Sequence, residues 1–264
     1  MVDKSEKVVW LARLGYVARG VVYTLLGYLA LTSSGADEAA DGPSGAFSFI
    51  QDIPGGTVVL YLAAAGLFGY ALFRLSTSIL DTEHHGNDAM GIGQRIGHFA
   101  SALVHFMLSY TAIQFANFSK SDGGDRAQEM AKTVLSYDLG GIVLGLVGIG
   151  FLIGAFMQGK RAATASFMKR VSRGAPTSTC WIGRIGHAAR AVVFLVIGWS
   201  LVRSGFISSN SSEVKSLGDA LMSLREHGLV YTLVAIGLLM FGVFSIIVAR
   251  YRIIPDPDPK YHLN

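Results

Sequence analysis

The sequence predicts an all-α membrane protein, six transmembrane helices forming three tandem helical-hairpin repeats around a pseudo-three-fold axis. Three observations predict it. Hydrophobic residues make up 51% of the chain and charged residues 15%, with a mean hydropathy of +0.45, whereas soluble domains carry about 25% charged residues. The octapeptide RLGYVARG at Arg13–Gly20 returns as RIGHFASA at Arg95–Ala102 and RIGHAARA at Arg184–Ala191, and recurrence at a near-fixed period marks tandem structural units. Each copy opens an apolar run long enough to cross hydrocarbon, and each is followed by a second, glycine-rich run.

Repeat 1 spans residues 10–81, with helices near 14–32 and 57–80. Repeat 2 spans 92–160, with helices near 96–117 and 139–158; a linker, 161–180, leads to repeat 3 at 181–252, with helices near 185–202 and 229–249. Trp10 and Trp181 fall at one end of the odd-numbered helices and Tyr28, Tyr110 and Trp199 at the other, as interfacial aromatic belts require. Between the helices of each repeat, apolar residues recur at helical spacing (Phe47 and Ile50; Met130, Ala131 and Val134; Ala220, Leu221 and Leu224) and run into Gly55-Gly56, Gly140-Gly141 or Gly228. Each stretch is expected to be a short amphipathic helix lying on the membrane surface with a glycine stop. In the linker, Phe167, Met168 and Val171 stand among cationic residues, which suits a helix held against anionic headgroups. Residues 253–264, with Pro255, Pro257 and Pro259, form a tail that cannot continue a helix.

Charge sets orientation. Lys4, Lys7, Arg13, Arg19, Arg74 and Arg95, seven residues from Lys160 to Arg190, and Arg250, Arg252 and Lys260 border one face, sixteen of the 22 Lys and Arg. Both termini are therefore expected in the cytoplasm. The basic residues border apolar segments, so membrane lipid is the expected partner and nucleic acid is not; a further membrane-protein partner or self-association stays open. The lone Cys180 excludes an intramolecular disulfide and a thiolate metal site. The N-terminal segment leads into a long helix and does not have the form of a removable signal peptide.

The three-fold R-h-G-[YH]-x-A-[RS]-[GA] motif heading paired helices, together with the apolar-to-glycine stretch inside each pair, resembles the bacterial membrane family Domain of Unknown Function 1206 over nearly the whole chain. The resemblance implies three two-helix repeats in the bacterial cytoplasmic (inner) membrane and implies no activity. The copies differ: Tyr16 stands where the others have His98 and His187, and Ser101 where they have Arg19 and Arg190.

At 3.6 residues per turn, Arg95, His98, Ala102, His105 and Ser109 share one face of the third helix. Arg13, Tyr16, Gly20, Tyr23 and Gly27 share the matching face of the first, and Arg184, His187, Ala191, Phe194 and Gly198 that of the fifth. Facing a common axis, Tyr16, His98 and His187 would form one ring and Tyr23, His105 and Phe194 a deeper one. Ionisable groups at membrane depth face the bundle interior and are functional candidates. The candidate axial polar site is Tyr16, Arg19, Tyr23, His98, His105, Gln114, His187 and Arg190. It would conduct or bind a proton, an ion or a small solute, the arginines favouring anions. Two alternatives accompany this reading. In one, the protein is a non-catalytic accessory or structural subunit, with the rings as packing and Arg19 and Arg190 snorkelling to the interface. In the other, it is a redox protein, with His98 and His187 as axial haem ligands or His105 and Tyr23 on a quinone; the cofactor is otherwise unknown. No enzymatic signature appears, and no enzyme is expected.

Gly20, Gly27, Gly141, Gly145, Gly150, Gly154 and Gly198 are expected to let helices approach closely. The loop DTEHHGND at Asp81–Asp88 gathers possible metal ligands but matches no ligand spacing, so no metal site is expected. No carboxylate lies inside any expected span, which argues against a carboxylate-driven cation antiporter.

Overall fold

Hydrocarbon leaves the backbone no partner but itself, so an apolar run free of proline folds as helix. All six prolines (Pro43, Pro54, Pro176, Pro255, Pro257 and Pro259) lie outside the long apolar runs. The computed structural model describes residues 4–32, 36–83, 86–118 and 126–253. Its α-helices are α1 (Lys4–Leu31), α2 (Ala36–Ala40), α3 (Pro43–Asp52), α4 (Gly56–Leu80), α5 (Ala89–Ala116), α6 (Arg126–Leu135), α7 (Gly140–Thr164), α8 (Thr179–Arg203), α9 (Leu217–Met222) and α10 (Gly228–Tyr251). Six of them, α1, α4, α5, α7, α8 and α10, are long and apolar enough to cross a membrane. Strand pairing among the described residues is limited to one antiparallel bridge, Val171 with Arg252. The chain is a multi-pass helical membrane protein of three tandem repeats, α1/α4, α5/α7 and α8/α10.

Local chemistry sets the helix ends. Asp88 caps α5 by accepting from the Gly91 N–H at 2.9 Å, and Ser216 with Asp219 forms a capping box on α9. A Cβ on Gly56 would lie 1.8 Å from the Ile50 carbonyl oxygen, and one on Gly140 1.8 Å from that of Val134. Only glycine fits where these loops fold back onto their helix starts. The even helices α4 and α7 both end on a left-handed residue, Asp81 and Ala165, each with φ near 50°.

The spans follow one another in space as α5, α4, α1, α10, α8, α7. The tightest interfaces join an even helix to the odd helix of the next repeat, α4 with α5, α7 with α8 and, cyclically, α10 with α1; the hairpin partners α1 with α4 and α8 with α10 pack less extensively. Odd and even helices therefore alternate around the pseudo-three-fold axis. The sixth interface of such a ring, between the hairpin partners α5 and α7, does not form an extended contact. We refer below to the end where the odd helices carry the octapeptide as the motif end, and to the other as the loop end.

Two expectations about the loops are corrected. The short helices turn their apolar faces onto protein and plug the loop end rather than offering them to lipid: Ala46, Phe47, Ile50, Ala220 and Leu221 are buried. Phe47 packs against Phe115 with ring centroids 6.2 Å apart, and Gln51 donates to the Phe115 carbonyl at 2.6 Å. α2 and α9, from repeats 1 and 3, meet where Gly218 approaches the Ala40 carbonyl. Helical spacing of apolar residues is the same whether the face meets lipid or protein, so the pattern alone could not separate the two. At the motif end α7 continues to Thr164, and the linker is a 3-10 turn, Ser166–Arg170, rather than a helix on headgroups. Its Phe167 stacks on His187 at 4.9 Å and packs edge-on against Phe244, and Ser172 donates to the Tyr251 carbonyl at 2.8 Å. Hydrogen bonding to the end of α10 holds the linker under the bundle. The proline tail beyond Ile253 and the pair His84-His85 lie outside the described residues.

Candidate functional site

The octapeptide is first a set of fasteners to the preceding even helix. Arg95 donates to the Ser78 and Ile79 carbonyls at 2.8 and 3.1 Å, and Arg184 to the Ala162 and Ala163 carbonyls. These are free carbonyls in the last turns of α4 and α7, where a cation also meets the negative end of the helix dipole. The ring position follows. Counted back from Asp81, Ala165 and Arg252, the residue seven places in is Arg74, Gln158 or Ser245. Arg74 donates to His98 Nδ1 at 2.7 Å, His187 Nδ1 lies 2.6 Å from Gln158 Oε1, and Ser245 accepts from Arg19 Nε at 3.2 Å. Eleven places in stand Tyr70, Gly154 and Phe241, against which the deeper positions pack: His105 on Tyr70 at 4.6 Å, Tyr23 on Phe241 at 5.0 Å, and Phe194 beside the bare Gly154.

The side chains expected to form two axial rings are thus each held by an even helix. Tyr16 meets Tyr70 edge-on at 5.0 Å, and His105 donates through Nδ1 to the Ser101 carbonyl of its own helix at 2.7 Å. His98 and His187, considered above as a pair of haem ligands, are fixed by α4 and α7 respectively. Gln114 lies sixteen residues beyond His98, about 24 Å along α5, and so stands apart from this site.

Arginines dominate the motif end. Arg19 does not snorkel: it is 8% exposed, donates to Tyr70 Oη at 2.6 Å, and sits over the rings of Tyr16, Tyr70 and Phe241 at 4.8, 5.1 and 5.0 Å. Arg190 approaches the same Phe241 ring at 4.5 Å and also the rings of Phe194 and Tyr23. Aromatic faces are the apolar surface most tolerant of a cation. Arg74 donates to Tyr70 Oη from Nε at 2.8 Å and from Nη2. Arg19 lies within electrostatic reach of Arg74 and Arg190, and Arg161 of Arg74, Arg190 and Arg252. Guanidiniums from α1, α4 and α8 therefore gather on Tyr70 and Phe241, with Arg161 of α7 within electrostatic reach. Helices α4, α5, α7, α8 and α10 contain no Asp or Glu, and α1 only Glu6 in its first turn.

One carboxylate serves this cluster from outside the spans. Glu83, 7% exposed, pairs with Arg170 of the linker and with Arg252 at 2.5 Å, and lies 3.8 Å from His98 Nε2. Burial pushes its carboxyl up, but Arg252, Arg74 and Arg170 outweigh that and hold its pKa at about 2. Among the described residues, Arg19, Arg161 and Arg190 have no ion pair with a carboxylate. Three buried polar atoms beside them also find no hydrogen-bond partner: Tyr16 Oη, His187 Nε2 and Arg190 Nε. Buried polar groups are normally satisfied, and among the described residues these clustered guanidiniums hold positive charge that no neighbouring carboxylate offsets.

The sequence reading missed Arg74, Arg161, Tyr70, Gln158 and Glu83. The signal was available for three of them: the polar residue seven places before each shared helix end, and the aromatic four places earlier. Of the glycines, Gly20 and Gly27 seat on α10, Gly141 and Gly145 meet Gly205 and Phe206, Gly198 meets Gly148 and Leu152, and Gly154 touches Phe194. Gly150 meets nothing within 4 Å.

A profile of the family described as Domain of Unknown Function (DUF1206) matches residues 14–81, 96–165 and 185–252. The chain is 34% identical over 261 residues to the Bacillus subtilis (strain 168) protein titled "Uncharacterized protein YxxB", covering 94% of each chain. No solved structure gives a significant match. The chain belongs to the DUF1206 family, and the three matched segments are its three repeats.

Proposed function

We propose that the arginines at the motif end form a chamber that binds a small anionic group, on the side of the membrane that the distribution of basic residues favours as cytoplasmic. One observation carries the reading: Arg19, Arg74 and Arg190 gather on Tyr70 and Phe241 with Arg161 in electrostatic reach, and among the described residues the carboxylate nearest them, Glu83, is already paired with Arg170 and Arg252. Two like charges about 8 Å apart repel by about 2 kcal/mol at an effective dielectric of 20, so an entering oxyanion relieves several such terms and gains charge-assisted hydrogen bonds. Binding without chemistry is the whole of the proposal; it is the solute-binding form of a translocating protein. The test is thermal unfolding in mild detergent with phosphate, sulfate and carboxylates. A guest at a hundredfold its dissociation constant stabilises by about 2.7 kcal/mol. Wild type is expected to shift upward with at least one oxyanion and Arg190→Gln to lose most of that shift; equal shifts in the two proteins, or none in wild type, would refute the reading.

An accessory-subunit reading has its own supporting observation, the open face between α5 and α7, where a neighbouring helix could pack. It predicts a co-purifying membrane protein or a dimer whose stability depends on that face.

A further inference from the structure

The same glycine pair closes two of the three hairpins and stands unused in the third. In repeat 1 a Cβ on Gly15 would run into Tyr70 and the Gly66 carbonyl, and one on Gly66 into the Leu14 carbonyl and Ala18. In repeat 3 Gly186 abuts Phe241 in the same way, and Gly237 abuts Ala189 and the Ile185 carbonyl. The counterparts in repeat 2 are Gly97, by the octapeptide, and Gly150, fifteen residues before the shared helix end, as Gly66 and Gly237 are. Both are exposed, and neither has any atom within 4 Å of the place where a Cβ would stand. Along α5, Gly93, Gly97, Ala100 and Val104 share one exposed face.

Two further departures from three-fold symmetry lie in repeat 2. Ser101 replaces the arginine of the other two copies, and Gly154 replaces the aromatic residue that Tyr70 and Phe241 supply. Both changes replace a large side chain with a small one, and Phe194 of α8 lies against Gly154. The loop end is plugged by Phe47, Ile50 and Leu221, and the motif end is covered among the described residues by Phe167, Val171 and the Glu83 ion pairs. The unpartnered Tyr16 Oη and His187 Nε2, 2% and 5% exposed as residues, stand among Arg19, Arg74, Arg161 and Arg190. A positive cluster flanked by a helix seam without extended contact suits a guest that is anionic at one end and apolar at the other.

We propose that the seam between α5 and α7 is a lateral doorway from the bilayer to the arginine chamber. It admits the acyl chain of an anionic amphiphile whose phosphate or carboxylate head lies at Arg161 and Arg190, and it closes by bringing Gly97 onto Gly150. The proposal rests on the anion-binding reading and adds the source of the anion, membrane lipid rather than free solute.

Detergent-solubilised full-length protein is titrated with inorganic phosphate, with dodecyl phosphate and, as an uncharged control, with dodecanol. Wild type is expected to bind dodecyl phosphate at least tenfold more tightly than phosphate. The double variant Gly97→Leu/Gly150→Leu, which fills the seam at two positions open in this conformation, is expected to lose that preference tenfold or more while keeping its phosphate affinity. Arg190→Gln is expected to lose both ligands. Undiminished dodecyl phosphate binding by the seam variant overturns the doorway and leaves anion binding intact; no binding of either anion by wild type overturns the underlying reading as well. Loss of a co-purifying protein or of a dimer on filling the seam, with amphiphile binding unchanged, assigns the face to a protein contact and likewise overturns the doorway. Closure is tested separately by Gly97→Cys/Gly150→Cys in a Cys180→Ser background. Oxidation is expected to form the disulfide, which needs Cα atoms within about 7 Å, and to slow dodecyl phosphate exchange at least tenfold, reversibly on reduction. Failure of the pair to cross-link, or exchange unaltered by the bond, overturns closure.

Discussion

Replacing Glu83 with Gln tests whether the motif end is held by charge. The substitution keeps the shape of the side chain and removes the one carboxylate that Arg170 and Arg252 share. A carboxyl lowered from 4.5 to about 2 by its neighbours stabilises the folded protein by about 3 kcal/mol at neutral pH, at about 1.36 kcal/mol per pH unit. Measured losses on removing one partner of a buried pair, about 3–5 kcal/mol, are of the same size. Because the folded-state pKa is the lower one, this stabilisation is fully present above pH 4.5 and fades as pH falls toward 2; at pH 3 about 1.4 kcal/mol remains. Thermal melts of wild type and Glu83→Gln from pH 7 to pH 2.5 provide the assay. The variant is expected to melt lower by roughly 6–12 °C at pH 7, taking about 2–4 °C per kcal/mol, and the gap is expected to narrow below pH 4. A gap under 2 °C at pH 7, or one that widens in acid, would show that the linker and the end of α10 are not held by this ion pair.

Further substitutions separate packing from openness. Gly186→Val drives a side chain into the α10 backbone at Phe241, 2.7–2.8 Å from the new Cβ, and should lower stability by at least about 3 kcal/mol, while Gly97→Val should melt within 2 °C of wild type; similar losses at both sites would mean that α5 and α7 pack after all. Phe47→Ala, which empties a fully buried site at the loop end, should cost about 3–5 kcal/mol, and a surface-lying α3 would instead give less than 1. Gln158→Leu leaves His187 Nδ1 buried without its acceptor and should cost about 1–3 kcal/mol; in the background of His187→Phe the same change should be nearly neutral, and additivity of the two losses would rule out a stabilising Gln158–His187 hydrogen bond.

The spans and repeats were legible because hydrocarbon imposes length and apolarity on a helix, and the octapeptide announces its own period. The chamber was only half legible. Arg19, Arg190, Tyr16, His98 and His187 sit within the motif and so were visible, but Arg74 and Arg161 read as flanking charges that set orientation. Arg161 stands inside its helix because α7 runs on to Thr164, and Arg74, within the last two turns of α4, is held by Tyr70. Glu83 was weighed only as a metal ligand, since nothing in DTEHHGND says that Arg252, 169 residues away, will close upon it. The order of helices around the ring was not written in hydropathy at all. It follows from which glycines find a backbone to meet, and that is a property of pairs of helices rather than of any one.

Tandem repetition explains why one open seam is informative. Three copies of one hairpin, joined cyclically, would give three equal interfaces between repeats and three equal interfaces within them. The first set is complete, α4 with α5, α7 with α8 and α10 with α1, so the ring does not lack contacts through poor sequence match. The second set fails only in repeat 2, although its glycine pair is intact. A hairpin that had lost its interface by drift would be expected to have gained side chains where Gly97 and Gly150 stand, since nothing within 4 Å prevents it and glycine carries an entropic cost in a helix of about 1 kcal/mol relative to Ala. Glycine retained at both positions fits an interface that forms in another conformation. The middle repeat thus differs from its neighbours in its open hairpin, with Ser101 where they have an arginine and Gly154 where they have an aromatic residue.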